Sequence, residues 1–336
     1  MRLIKNPAVW IGFVISAVAL ALALRGLEWS QVGESIRDAD YALLALGAVV
    51  LFAAIVARTT RWGVLFLPEY RPHAWHLFGG LNVGYALNNI LPLRVGELGR
   101  AYLFARKEQP HVGRVLSTIV IERTLDTITV VVLLMCILPF IDAPAWARGP
   151  AILVGLAFLL FAVALAAAAR WRGPATSLIE RLSHALPEGA RAPIRGGVDA
   201  ALDGFGVISR PAILARALFW SALAWALSAL NMYIVMRAFD LDVPFTAGVF
   251  VMCATALSMV VPSSPGHIGV FHAIATESLV AVFDVDRNAA ASFALVEHAM
   301  LYLMPIVLAG MYAAMERETF TNLPVWHRPA AAEADL

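Results

Sequence analysis

The chain has 336 residues, 60% of them hydrophobic and only 15% charged, with 25 basic residues against 24 acidic ones. A mean hydropathy of +0.76 and repeated long apolar runs exclude an ordinary soluble domain, and no nucleic-acid partner is expected. Cys136 and Cys253 both fall inside apolar runs, which excludes a disulfide framework and a cysteine-based metal site.

In chain order, Arg2 and Lys5 precede an apolar stretch from 7 to 24. Arg25-Gly26-Leu27-Glu28 follows with no small-residue cleavage pattern, so the stretch reads as an uncleaved first span. Further segments long enough to cross a bilayer, about 20 residues, lie at 41–57, 115–141, 150–169, 212–238 and 289–314. Arg58, Arg61 and Trp62 at the end of the second span read as interfacial anchors. Two more apolar segments, 77–106 and 244–283, are broken midway by proline and glycine, and each reads as a re-entrant helical hairpin. Between 171 and 211, Val198, Leu202, Phe205 and Ile208 recur at helical spacing, which predicts an amphipathic connector on the membrane surface. The tail beyond Arg317 reads as disordered, with residues 319–336 outside the membrane domain.

The two broken segments resemble each other. PLRVGELG (Pro92 to Gly99) and PSSPGHIG (Pro262 to Gly269) share the proline, two glycines three residues apart and an aliphatic residue, at a distance of 170 residues. Paired, interrupted segments in the two halves of a membrane protein point to a site built from broken helices. The expected fold is therefore an all-α membrane protein of about six transmembrane helices plus two re-entrant hairpins. The whole forms one domain over 1–318, with an inverted repeat at about 41–141 and 212–314.

Charge supports that order. With both termini in the cytoplasm, 18 Lys and Arg residues face inside and five face outside (Arg25, Arg37, Arg148, Arg237 and Arg287), a strong positive-inside bias. If either hairpin crossed fully, the later loops would flip and the bias would be lost.

Ionisable groups at membrane depth are costly unless paired or wetted, which makes them site candidates. In the first half these are Asn88, Asn89, Arg94, Glu97, Arg100, Glu122, Arg123 and Asp126; in the second they are His267, His272, Glu277, Glu297 and His298. Glu122 and Asp126 share a helix face, and Arg123 can pair with Asp126 three residues on. Two readings stay open: an internal salt-bridge network, or a cavity in which an arginine receives a phosphate and a carboxylate a cation or proton. Arginine suits phosphate because its planar fork donates two hydrogen bonds at once. The hairpin breaks are Pro92, Gly96 and Gly99, then Pro262, Pro265, Gly266 and Gly269. Their glycines serve either close packing or chain reversal with amides open to an anion. His267 and His272 do not have the spacing of a zinc helix, there is no HExxH, and Ser263-Ser264 lacks a nucleophile elbow, so neither a metal nor any other cofactor is expected.

Asn88-Asn89-x-x-Pro92-x-Arg94-x-Gly96-Glu97-x-x-Arg100, then Glu122-Arg123 and Asp126, then Pro265-Gly266-x-Ile268-Gly269-Val270-Phe271 together resemble the lysylphosphatidylglycerol synthase transmembrane region, also called the flippase-like domain family. The likeness runs from about residue 7 to 315. It implies an inner-membrane lipid translocator with Arg94, Glu97, Arg100, Glu122 and Arg123 near the path of an anionic or phosphate-bearing headgroup. An intramembrane enzyme acting on a lipid-linked phosphate, or a subunit partnering a lipid- or glycan-synthesis enzyme, are the alternatives. The soluble aminoacyltransferase domain of that family is not in this sequence, so lysylphosphatidylglycerol synthesis is not expected. His267 and His272 depart from the glycine and acidic residue common at those places.

Overall fold

The computed structural model describes residues 7–68, 70–92, 95–108, 110, 112–141, 160, 210–259 and 263–316. Apart from Leu160, the 150–169 span lies outside the described residues, as do 171–209 of the connector, the tail from 319, and the site residues Arg94 and Pro262. All regular structure among the described residues is helical: α1 (Pro7–Leu24), α2 (Trp29–Asp38), α3 (Tyr41–Val64), α4 (Ala74–Ile90), α5 (Gly96–Glu108), α6 (Val112–Ile137), α7 (Pro211–Ala238), α8 (Phe245–Ser258), α9 (Val270–Phe283) and α10 (Arg287–Glu316).

Among the described residues four helical segments are long and apolar enough to cross a membrane: α3, α7, α10 and Pro265–Phe283. A fifth is added if α1 and α2, bent by 83°, are taken as one span. The sequence expectation of six spans is thus met only in part. α2 had no counterpart in that expectation; it is a short helix that buries Val32 and joins α10 through Gln31 and Asn288. α6 has the length, 26 residues, but carries Glu122, Arg123 and Asp126 through its middle. The molecule is apolar outside and charged within. Trp10, Val14, Val18, Val49, Phe52, Val56, Val307 and Met311 are exposed, whereas Arg61, Arg100, Glu122 and Glu297 are buried. Such a surface is stable in hydrocarbon and would aggregate in water.

α3 starts where the Asp40 carboxylate accepts the amides of Ala42 (2.8 Å) and Leu43 (3.1 Å), the capping that fixes a helix start. It runs antiparallel to α7: the Asp40 amide bonds Ala238 O at one end, and Arg61 reaches Ser221 (3.2 Å) at the other.

Each broken segment folds back on itself. In the first, Gly84 on α4 faces Arg100 and the Gly96 carbonyl on α5, and the open ends meet where Glu108 accepts from the His73 amide and bonds His76. In the second, Phe250 on α8 meets Phe283 at the end of α9, with ring centroids 6.1 Å apart. The breaks differ in kind. Gly266 and Gly269 have φ of +68° and +88°, so the second reversal needs glycine for its backbone. Gly96 and Gly99 lie inside the first turn of α5 and act by closeness: a Cβ on Gly96 would stand 2.0 Å from the Gly84 carbonyl.

α10 organises both hairpins. At its C-terminal end Glu316 bonds Lys107 (3.0 Å) and Trp75 (2.9 Å), beside the open end of α4–α5. At its N-terminal end Arg287 pairs with Glu277 (2.7 Å) on α9. Between them the two closed ends meet: Asn89 donates to the Tyr302 carbonyl (3.0 Å), Gly266 packs on the Tyr302 ring, and His298 bonds the Gly266 carbonyl (2.8 Å). Pro305 lies inside α10, one turn beyond.

Candidate functional site: a buried arginine cluster at the first break

The breaks place α5 so that its polar side faces α6, and α3 and α7 close the far side. Arg100 lays a two-pronged contact on Glu122, at 3.1 and 2.7 Å, while its guanidinium stacks 3.6 Å above the Trp62 ring. Arg61 makes a second two-pronged contact with Asp126 and approaches Glu122 to 3.7 Å. Arg123 bonds Glu122, lies 3.6 Å from Asp126, and has Glu97 at 3.9 Å. Trp62 is held by Thr118 (2.9 Å), and Trp225 donates to Asp126 (3.0 Å). Trp62 also belongs to a buried apolar cluster that includes Ile121, Leu125 and Ala217.

Two properties make this more than a brace. Three guanidinium groups converge on the carboxylates of Glu122 and Asp126, and the third of them, that of Arg123, is more exposed than Glu97 beside it. Moreover, Nε of Arg61, of Arg100 and of Arg123 each make no hydrogen bond. Unpaired N–H groups of this kind can donate to an anionic oxygen or to water. Burial is graded: the side chains of Arg61 and Arg100 are 0% and 2% exposed, but that of Arg123 is 39% exposed and that of Glu97 31%. Arg123 and Glu97 form the mouth.

Of the residues expected from sequence, Glu97, Arg100, Glu122, Arg123 and Asp126 come together here. Asn88 supports the site from one turn away by accepting the Gly96 amide (2.9 Å), so that amide is not open to a ligand. Asn89, Gly266 and His272 gather where the hairpins meet. There the His272 and His298 rings stand 4.6 Å apart, and His272 Nδ1 accepts the Gly269 amide (3.2 Å). His267 pairs with Ser263 (2.7 Å) just outside. Glu277 is spent on the surface pair with Arg287, and Glu297 stands apart, buried against Asn231 (2.6 Å).

Arg61 and Trp62 correct the sequence reading. They are not interfacial anchors but fully buried members of the cluster, and Arg58, bonded to Ser228 (2.9 Å), faces α7. Arg61 and Arg100 therefore drop out of the inner charge count without changing the sign of the bias. The missed signal was the apolar continuation Val64-Leu65-Phe66-Leu67, all but the last buried, which places Arg61 short of the true end of the segment.

An all-helical body with an apolar exterior, several membrane-length helices and a largely buried ionic cluster defines a multi-pass membrane protein. The chain belongs to the lysylphosphatidylglycerol synthase transmembrane region family, whose model matches residues 9–309. It is similar to a UPF0104 membrane protein of Methanothermobacter thermautotrophicus, 24% identical over 313 residues that cover 87% of this chain and 90% of the relative. It is also similar to UPF0104 membrane protein PH1989 of Pyrococcus horikoshii, 20% identical over 92% of this chain and 98% of that one. A third relative, glycosyltransferase AglD of Haloferax volcanii, is 24% identical over 91% of this chain, a match that spans 54% of the larger protein.

Proposed function

We propose that the protein moves an amphiphile with a phosphate-bearing headgroup between the leaflets of the cell membrane, with both termini in the cytoplasm. The observation that carries this reading is the convergence of three arginines whose Nε donors make no hydrogen bond, open at Arg123. A phosphodiester is singly charged, and its oxygens suit the unpaired Nε donors. Glu97 and Asp126 release Arg123 as the headgroup arrives, and Arg61 and Arg100, locked on their carboxylates, keep the field in place.

Helix lengths support re-entrant hairpins in an inverted repeat. At 1.5 Å per residue α5 and α8 reach only about 20 Å, short of a hydrocarbon core of about 30 Å. The hairpins open toward opposite ends of α10 and touch at its middle, the arrangement expected of two half-crossing gates. The glycosyltransferase relative favours a second reading, in which this body serves a lipid- or glycan-synthesis enzyme as a membrane partner.

The test is leaflet exchange of headgroup-labelled phospholipid in vesicles holding the purified protein. Wild type should exchange lipid without chemical change, and Arg123→Gln should slow exchange at least tenfold while leaving the melting temperature in place. No exchange by a folded wild type, together with co-purification of a synthase, would move the assignment to the partner role; an altered lipid would move it to an enzyme.

A further inference from the structure

Glu297 takes no part in the arginine cluster, yet it is among the most enclosed groups in the protein. Its carboxyl is 0% exposed on α10, and Asn231, 1% exposed on α7, donates to Oε1 at 2.6 Å. Two atoms of this pair have no partner: Glu297 Oε2 and Asn231 Oδ1. Both are acceptors if the carboxyl is ionised. A single proton on Oε2 turns one of these two stranded acceptors into a donor, so that the pair holds a matched donor and acceptor in place of two acceptors. Flipping the amide does not help, since it would set oxygen against oxygen.

Among the described residues the surroundings offer no counter-charge. α3 presents the bare backbone of Gly47, whose Cβ position lies 3.3 Å from Asn231 Oδ1 and 3.0 Å from Val235. On α10 itself the neighbouring His298 is turned to the Gly266 carbonyl, and His272 of α9 meets it edge-on. On α4, Tyr85 belongs with Arg61 and Arg123. α2 meets α10 at Asn288, more than two turns away. The nearest cation along α7 is Arg58, on Ser228, one turn from Asn231.

α7 also connects this pair to the cluster. Ser221 holds Arg61, Trp225 holds Asp126 and lies under Arg58 (4.9 Å), Ser228 holds Arg58, and Asn231 holds Glu297. These four residues fall on one face of the helix at spacings of four, three and three, a polar stripe of about 15 Å.

We infer that Glu297 and Asn231 form a proton-binding site, in which Glu297 takes one proton from water and returns it there, and that α7 carries the change of charge to the arginine cluster. The inference goes beyond lipid movement and does not depend on which lipid is moved. Ionised, Glu297 would be a bare buried anion, which draws Arg58 along the stripe; neutral, it leaves Arg58 on Ser228 and Trp225.

Infrared spectroscopy of the reconstituted full-length protein tests the site directly and needs no transport. At neutral pH wild type should show a protonated-carboxyl C=O band that shifts on exchange into deuterium oxide, disappears as the pH is raised into the alkaline range, and is missing from Glu297→Gln. A wild-type spectrum with no such band at neutral pH overturns the inference, as does a band unchanged in Glu297→Gln. Should that variant fail to fold, Asn231→Leu is the substitute: it removes the carboxyl's partner, so the band should remain but move to higher frequency. A band unmoved by Asn231→Leu overturns the inference too. Loss of lipid exchange with this band intact would instead count against the translocator reading alone.

Discussion

Glu122 is where the arginine cluster can be broken most cleanly. In Glu122→Gln the side chain keeps its size but loses its charge, and its amide hydrogens point at donors. Arg100 loses both prongs, Arg123 its shortest contact and Arg61 its second partner, which leaves Asp126 as the one enclosed carboxylate among the three guanidinium groups. Breaking a fully buried ion pair from one side costs about 3–5 kcal/mol, since the stranded charge stays desolvated. Arg123→Gln removes a side chain that is 39% exposed and should cost within about 1 kcal/mol. Unfolding in detergent can be followed through Cys253, which is fully buried, with a thiol-reactive dye after Cys136 is replaced by serine. Glu122→Gln should lower the melting temperature by on the order of 10 °C, and Arg123→Gln by a few degrees at most. If the two variants melt together, or Glu122→Gln melts with wild type, the cluster is not the buried electrostatic unit described above.

Gly96→Ala should cost about 1–3 kcal/mol by forcing the arms of the first hairpin apart, because its Cβ would meet the Gly84 carbonyl and Asn88 Oδ1. Gly33→Ala on α2, where a Cβ meets nothing within 4 Å, should be neutral or slightly stabilising in the same melting assay. At the open end of that hairpin, burial and then the bond to Glu108 push the Tyr70 hydroxyl up to about 12. Burial raises Glu108 as well, but the bonds from Tyr70, His76 and the His73 amide outweigh it and hold the carboxyl below its usual range. The lowered carboxylate stabilises above its unfolded value of about 4 and loses that contribution as pH falls; the raised phenol stabilises below about 10 and loses its contribution as pH rises toward 12. The melting-temperature gap between wild type and Tyr70→Phe should therefore be widest between these limits and close on both sides; a flat gap contradicts the assignment. Single cysteines at Arg71 and Pro110 should be labelled by an impermeant reagent from one membrane face, and those at Asp240 and Asp284 from the other. Labelling of either pair from opposite faces would end the re-entrant reading.

The helix breaks were legible because proline and glycine interrupt apolar runs at fixed places: the expected 77–106 and 244–283 became α4–α5 and α8–α9 with shifts of a few residues. Glu122, Arg123 and Asp126 were legible because helical spacing alone brings them together. Arg61 was not, since an arginine near the end of an apolar run reads equally well as a snorkelling anchor, and only the packing of Leu65 and Phe66 shows that the run continues. The stripe Ser221, Trp225, Ser228 and Asn231 was visible in principle as one polar face on an otherwise apolar helix, but its partners come from α3, α6 and α10. The contact between Asn89 and Tyr302, 213 residues apart, depends on tertiary packing that no local pattern encodes.

Pro305 gives α10 a property that its length conceals. Proline brings no amide hydrogen, so the Leu301 carbonyl loses its bond at the point where the hairpin tips touch. The rod is thereby two stiff lengths joined by a compliant elbow, the upper fastened through Arg287 to one mouth and the lower through Glu316 to the other. A bend at the elbow would shift the Arg287 end against the Glu316 end with no other helix having to unwind.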